Sequence, residues 1–63
     1  MFYKGFTIKI QKENEGYSFL VYRKTDAWIL ADEWNPSLKT KQETLEEIHI
    51  IIDDYLENPE AYD

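Results

Sequence analysis

Residues 41–57 have the sequence KQETLEEIHIIIDDYLE, in which apolar side chains recur at helical spacing. At ~100° per residue, one apolar group falls within an arc of about 100°, which is wide enough to cover a core. This group is Leu45, Ile48, Ile52, Tyr55 and Leu56. Thr40 followed by Glu43 fits a capping box at the start, and Asn58-Pro59 ends the segment because the residue before proline avoids the α region. The sequence therefore predicts an amphipathic helix over residues 41–57.

Three stretches before the helix have the patterns of β-strands. Residues 3–11 alternate apolar and polar side chains, and residues 17–23 and 27–33 are rich in aromatic and aliphatic side chains. Short polar loops separate them, and Gly16 can supply a positive φ in the first loop. We therefore predict an α+β fold: a three-stranded antiparallel β-meander with one C-terminal α-helix packed on one face. Residues 1–63 would form a single small domain.

The predicted sheet has apolar side chains on both faces, whereas one helix covers only one face. We expect Ala27, Ile29 and Ala31 to face the helix. The open face would then be the dimer or partner face, and it would carry Tyr3, Leu20, Tyr22 and Trp28. Exposed apolar patches of more than a few hundred Å² mark contact sites, which favours a homodimer. The alternative is a hydrated face that tolerates amphipathic rings.

The charges divide the chain into two parts. All seven Lys and Arg residues lie within residues 1–41, whereas residues 42–63 carry eight acids and no Lys or Arg. On the helix, the acids lie opposite the core arc and surround one apolar residue, Ile50. The predicted contact surface is Glu46, Glu47, Ile50, Asp53, Asp54 and Glu57. An apolar anchor with a polar rim is a common interface layout, whereas the alternative is a face that serves only solubility.

The composition argues against several classes of function. The absence of cysteine excludes disulfides and thiolate metal sites and favours a cytoplasmic setting. No apolar run is long enough to span a membrane, and the N-terminus lacks the apolar stretch of a signal peptide. The net charge of −6 opposes direct binding of nucleic acid through its phosphates. We therefore expect a basic protein as the partner.

Catalytic and metal-binding patterns are weak. Ser18 and Ser37 are the only serines, and the single histidine has no nucleophile beside it in the sequence. Glu46, His49 and Asp53 share one helix edge, but sites with this spacing draw their ligands from several helices. We therefore predict a protein that is not an enzyme and that holds no metal and no cofactor.

Three short motifs suggest a family. Gly16-Tyr17 opens a strand, Thr44-Leu45-Glu46-Glu47 lies in the first helical turn, and Tyr55-Leu56-Glu57 ends the helix. With the strand-strand-strand-helix order, they resemble the partial-RNase-H-like domain of HicB-type antitoxins over residues 16–57. The same outline is similar to small acidic phage and bacterial proteins, including anti-CRISPR inhibitors.

The HicB resemblance implies that the chain binds and blocks a small basic RNase toxin. The acidic-proline-glycine turn of that family is replaced by residues 34–38, WNPSL, so no functional residue is transferred. We predict a non-enzymatic, protein-binding inhibitor of a basic nucleic-acid-handling protein. The alternative is a structural or oligomerising protein that uses its aromatic sheet face, with acids that serve only solubility.

Overall fold

A four-stranded antiparallel sheet and one α-helix make up the protein, described here from a computed structural model over residues 1–62. The strands are β1 (Phe2–Tyr3), β2 (Phe6–Lys12), β3 (Tyr17–Arg23) and β4 (Ile29–Asn35), adjacent in that order. Helix α1 spans Lys41–Glu57, and a short 3₁₀ helix spans Pro59–Tyr62. The α+β prediction is confirmed, but the predicted number of three strands is wrong. Asp63, the last residue of the predicted domain, lies outside the described residues.

The fourth strand comes from a tight hairpin at the start of the chain. Tyr3 pairs with Phe6, and the two residues between them, Lys4 and Gly5, have φ angles of 47° and 88°. Positive φ at both central positions is the requirement of a type I′ hairpin turn. The segment predicted as one strand over residues 3–11 is therefore divided by this turn.

Strand β4 begins two residues later than predicted because Ala27 belongs to the preceding loop. Ala27 has a φ of 59°, and its N–H donates to the carbonyl oxygen of Arg23 at 2.8 Å. Ala27 is also exposed. The prediction that Ala27 faces the helix is therefore wrong.

A β-bulge in β4 reverses the orientation of two side chains relative to strict alternation. Val21 pairs with Ala31 and Tyr22 pairs with Ile29, so Leu30 is an extra residue between the two pairs. Leu30 packs against the core, whereas Ile29 is 54% exposed on the other face. The prediction that Ile29 faces the helix is therefore wrong, whereas Ala31 is buried in the core.

The core lies between α1 and the middle of the sheet, where α1 packs on β2 and β3. Its buried side chains are Phe6, Ile8, Phe19, Val21, Ala31, Ile48 and Ile52. Thr44 is fully buried among them, and its hydroxyl donates to the carbonyl oxygen of Thr40 at 2.9 Å, which satisfies its polar atom. Leu56 was predicted to face the core but is 47% exposed.

Local hydrogen bonds fix both ends of α1. The Thr40 hydroxyl oxygen accepts from the N–H of Glu43 at 3.0 Å, and the Glu43 carboxylate accepts from the N–H of Lys39 at 2.7 Å. At the other end, the N–H of Asn58 donates to the carbonyl oxygen of Asp54 at 2.9 Å. These bonds satisfy backbone groups that a helix end leaves unpaired, so the outer face of α1 is held on a well-capped helix.

Candidate interaction surfaces

The solvent side of α1 carries one exposed apolar side chain among acids. Ile50 is 65% exposed. Its neighbours three and four residues away in both directions, which adjoin it on a helix surface, are all carboxylates. We define the acidic stripe as Glu46, Glu47, Ile50, Asp53, Asp54 and Glu57. Helical spacing brings all six predicted residues to this side of α1.

Several charges of α1 run against its helix dipole, whereas Glu43 in the first turn is favourably placed. Lys41 is the first helical residue, Asp54 and Glu57 lie near the C-terminal end, and the last turn contains no basic residue. Charges placed in this sense each cost about 0.3–1 kcal/mol at an exposed helix end. Helix stability therefore does not explain the acids at the C-terminal end of the stripe.

Asp53 is bonded to the β1–β2 hairpin. The Tyr3 hydroxyl donates to its two carboxylate oxygens at 3.0 and 3.2 Å, and Lys4 Nζ donates to Oδ1 at 2.9 Å. The hydrogen bond from Lys4 lowers the pKa of Asp53, and the same bond raises the pKa of Lys4. Asp53 therefore holds the hairpin against the helix, and Lys4 neutralises part of the stripe.

Tyr3 lies on the helix side of the sheet. Its ring stacks on His49 of α1, with ring centroids 4.0 Å apart and an interplanar angle of 18°. The prediction that Tyr3 belongs to the open face is therefore wrong. The same stack places His49 against an aromatic ring at the edge of the core.

The remaining acids of the stripe differ in their contacts. Asp54 accepts a hydrogen bond from the Tyr62 hydroxyl, which raises the pKa of Tyr62. Within residues 1–62, Glu46, Glu47 and Glu57 make no side-chain hydrogen bond and no ion pair. These three carboxylates and Ile50 are thus the part of the stripe that no intramolecular bond occupies.

An arginine-centred cluster joins the β3–β4 loop to α1. Arg23 donates to both carboxylate oxygens of Asp26 at 2.9 and 2.7 Å, and to the Tyr55 hydroxyl at 3.2 Å. The Arg23 hydrogen bond lowers the pKa of Asp26 to about 2. The Trp28 ring lies 5.1 Å from the Arg23 guanidinium and 5.3 Å from the Tyr55 ring. The prediction that Trp28 belongs to the open face is therefore wrong.

The face of the sheet opposite α1 carries three rows of side chains, which follow from the strand register. We define the open sheet face by these rows: Phe2, Thr7, Tyr22 and Ile29; Lys9, Leu20 and Asp32; Gln11, Ser18 and Trp34. Phe2, Ile29 and Trp34 are 67%, 54% and 57% exposed. Leu20 and Tyr22 lie on this face as predicted and are half-buried.

Sequence reasoning missed the three most exposed apolar residues of this face. Phe2 and Trp34 lie just outside the predicted strands, and Ile29 reaches the face only through the bulge. Extending the predicted third strand by one residue would have included Trp34, and strict alternation would have placed it on this face.

Within residues 1–62, no group of three or more His, Asp or Glu side chains is arranged to hold a metal ion. No helix in that range has both the length and the apolar character needed to cross a membrane. The depression at the β2–β3 turn is lined by Glu13, Asn14, Glu15 and Trp34, and the Trp34 indole N–H already donates to the Glu15 carbonyl oxygen.

Comparisons with known proteins do not identify a relative. No family model matches the sequence, and no curated protein or solved structure shows significant similarity to it. The resemblance to HicB-type antitoxins thus depends on the short motifs and the element order alone, and it stays a prediction.

Proposed function

We propose that this protein is a non-enzymatic binding module that blocks a basic, nucleic-acid-handling protein through the acidic stripe. One observation carries the proposal: Ile50 is 65% exposed on α1, and its four nearest surface neighbours are all carboxylates. Protein interfaces commonly combine a central apolar anchor with a polar rim that excludes water. Ile50 would be the anchor, and the carboxylates would be the rim.

The chemistry of the stripe defines the partner. The stripe from residue 46 to 57 extends over ~16 Å of helix, at 1.5 Å per residue. A row of carboxylates of this length matches a surface lined with Arg or Lys, because guanidinium groups pair with carboxylates as they do with phosphates. A protein that binds nucleic acid carries such a surface, and the stripe would compete with the phosphates for it. The partner also needs a small apolar socket for Ile50.

The structure around the stripe favours binding without a large ordering cost. The helix is capped at both ends, and Asp53 is held by Tyr3 and Lys4 of the hairpin. A surface that is already ordered loses less conformational entropy when it binds. The glutamates without intramolecular partners supply long-range attraction, so binding would be fast at low salt and weaker at high salt.

The antitoxin-like resemblance agrees with this proposal. The family it points to blocks small basic RNases, and a basic target agrees with the charge of the stripe. The mechanism would be steric and electrostatic: the helix covers the basic surface that the target uses for nucleic acid. No residue of this chain needs to take part in a chemical step.

The proposal is tested by affinity capture from the source cells with matched variants. Ile50→Lys places a cation in the centre of the stripe, and Ile29→Lys makes the same change at a similarly exposed position on the opposite face. We expect wild type and Ile29→Lys to capture a basic nucleic-acid-handling protein and Ile50→Lys to lose it, with all three melting alike by circular dichroism. Capture that survives Ile50→Lys, or capture of acidic proteins only, would contradict the proposal.

A further inference from the structure

The central row of the open sheet face has one charge of each sign on either side of an apolar residue. Lys9 on β2 and Asp32 on β4 both lie opposite Leu20 on β3. Both charged side chains are exposed, and neither forms an ion pair within residues 1–62. Since neighbouring strands are ~4.8 Å apart, the two charged residues are separated by roughly 10 Å across the face.

Apolar side chains lie on both sides of this row. The row nearer the β1–β2 turn contains Phe2, Tyr22 and Ile29, and the row on the other side contains Trp34. Helix α1 covers the other face of the sheet and leaves Phe2, Ile29 and Trp34 each more than half exposed. Lys24 Nζ lies 5.1 Å from the centre of the Phe2 ring, at the margin of this face. A face with exposed apolar groups and one charge of each sign can bind a protein surface that offers apolar groups and the opposite charges at matching positions.

We propose that the open sheet face binds a second copy of this chain, about a two-fold axis that runs parallel to the strands and passes over Leu20. This rotation places β2 of one copy over β4 of the other. Lys9 then faces the second copy's Asp32, and symmetry creates the same ion pair a second time. The two Leu20 side chains meet on the axis.

The charge pattern selects this axis over its alternative. A two-fold axis in the plane of the face but perpendicular to the strands would bring Lys9 onto Lys9 and Asp32 onto Asp32, which is repulsive. The parallel axis also keeps the apolar rows in register, so that Tyr22 meets Tyr22 and Ile29 covers Thr7. It gives an aligned sandwich of two sheets about 10 Å apart, a common arrangement for sheet faces.

The size of the face predicts a weak dimer. Three strands of seven residues and one of two residues, ~4.8 Å apart and rising ~3.3 Å per residue, cover roughly 360 Å² in projection. A standard stable interface buries about 800 Å² on each partner. The dimer should therefore dissociate in the micromolar range, and the acidic stripe, on the opposite side of the molecule, should stay accessible in monomer and dimer.

Charge-reversal variants distinguish the proposed ion pairing from a general effect of net charge on association. Lys9→Asp changes the net charge from −6 to −8, and Asp32→Lys changes it from −6 to −4. General repulsion would make the first variant associate less and the second associate more. The proposed pairing requires that both variants associate less, because each places like charges opposite one another twice.

The experiment is sedimentation velocity from about 10 µM to about 1 mM, the range in which a small interface dissociates. We expect each single reversal to raise the dimer dissociation constant at least tenfold, and the Lys9→Asp/Asp32→Lys double variant to restore it to within about threefold. An equimolar mixture of the two single variants should form a heterodimer, because all its cross-face pairs are attractive. Circular dichroism checks that each exposed substitution leaves the fold intact, which is the expected result.

Three results would overturn the proposal. They are a monomer at every concentration, a dimer that Lys9→Asp does not weaken, and single variants that associate in the order of net charge. Ile50→Lys serves as the control for the other surface, since it should leave this dimer unchanged. A dimer that Ile50→Lys disrupts would place self-association on the acidic stripe instead.

Discussion

The hydroxyl of Tyr3 lies 3.0 and 3.2 Å from the two carboxylate oxygens of Asp53, across fifty residues of sequence. This contact joins the first strand of the sheet to the acidic side of the helix. It gives Asp53 a structural role in addition to any role in binding. The part of the acidic stripe that acts only at the surface is therefore centred on Ile50, Glu46, Glu47 and Glu57.

The Tyr3–Asp53 contact should contribute to stability through the hydroxyl rather than the ring. Tyr3→Phe removes the donor and keeps the stack on His49, so we expect a lower urea midpoint. Tyr22→Phe is the matched control, because the Tyr22 hydroxyl has no hydrogen-bond partner within residues 1–62, and its midpoint should not change. Equal effects of the two substitutions would show that the contact with Asp53 adds nothing.

The two glycines should differ in their tolerance of alanine. Gly16 has a φ of 76°, and a Cβ there would lie 2.0 Å from the carbonyl oxygen of Asn35. Gly5 has a φ of 88°, but a Cβ there meets nothing within 4 Å. We expect Gly5→Ala to cost about 1–2 kcal/mol from backbone strain and Gly16→Ala to cost more, since it adds a steric clash. Urea unfolding measures both, and similar losses would contradict the close packing at Gly16.

The bulge in β4 leads us to expect different effects from substitutions at the adjacent residues Ile29 and Leu30. Leu30 packs against the core and Ile29 is exposed, although simple alternation from Ala31 gives the opposite assignment. Leu30→Ala should lower the free energy of unfolding by about 2 kcal/mol, and Ile29→Ala by less than about 0.5 kcal/mol. Thermal or urea unfolding distinguishes them. A larger loss for Ile29→Ala would mean that β4 has no bulge.

Acid should destabilise the protein partly through Asp26. Its pKa is lowered from 3.8 to about 2 in the folded state by the Arg23 hydrogen bond. A lowered folded pKa means that the unfolded chain binds more protons in this interval, so the stabilisation is complete above pH 3.8 and is lost as the pH falls towards 2.

Urea midpoints between pH 6 and pH 2 test this linkage. Asp26→Asn should be less stable than wild type at pH 6, and the difference should shrink as the pH falls. The urea midpoint of Asp26→Asn should still fall with pH, but less steeply than that of wild type, because the pKa of Asp53 is also lowered by Lys4. A difference between the two proteins that is constant with pH would contradict the Arg23–Asp26 pairing.

The elements that the sequence predicted well are those with local signals. The helix over residues 41–57 and the strand over residues 17–23 have the predicted bounds, because a Thr40 cap, an Asn-Pro stop and a glycine turn are encoded within a few residues. The exposed position of Ile50 also follows from helical period alone.

The features that were missed depend on pairing between strands. A strand of two residues, β1, has no period to detect, and the bulge at Leu30 is a property of how β4 meets β3. The wrong placement of Trp28 follows from treating residues 27–33 as a regular strand, when Trp28 belongs to the loop held by Arg23. Charge and periodicity therefore predicted the acidic stripe, whereas the open sheet face required the register.

We propose above all that Ile50 and its surrounding carboxylates form a binding surface for a basic protein. The most direct test is the dissociation constant of the captured partner for wild type, Ile50→Lys and Ile29→Lys, each at low and high salt. We predict that Ile50→Lys weakens binding by roughly thirtyfold or more, the loss of a central anchor, and that Ile29→Lys stays near wild type. Wild-type binding should also weaken at high salt. Equal affinities for Ile50→Lys and wild type, unchanged by salt, would contradict the claim.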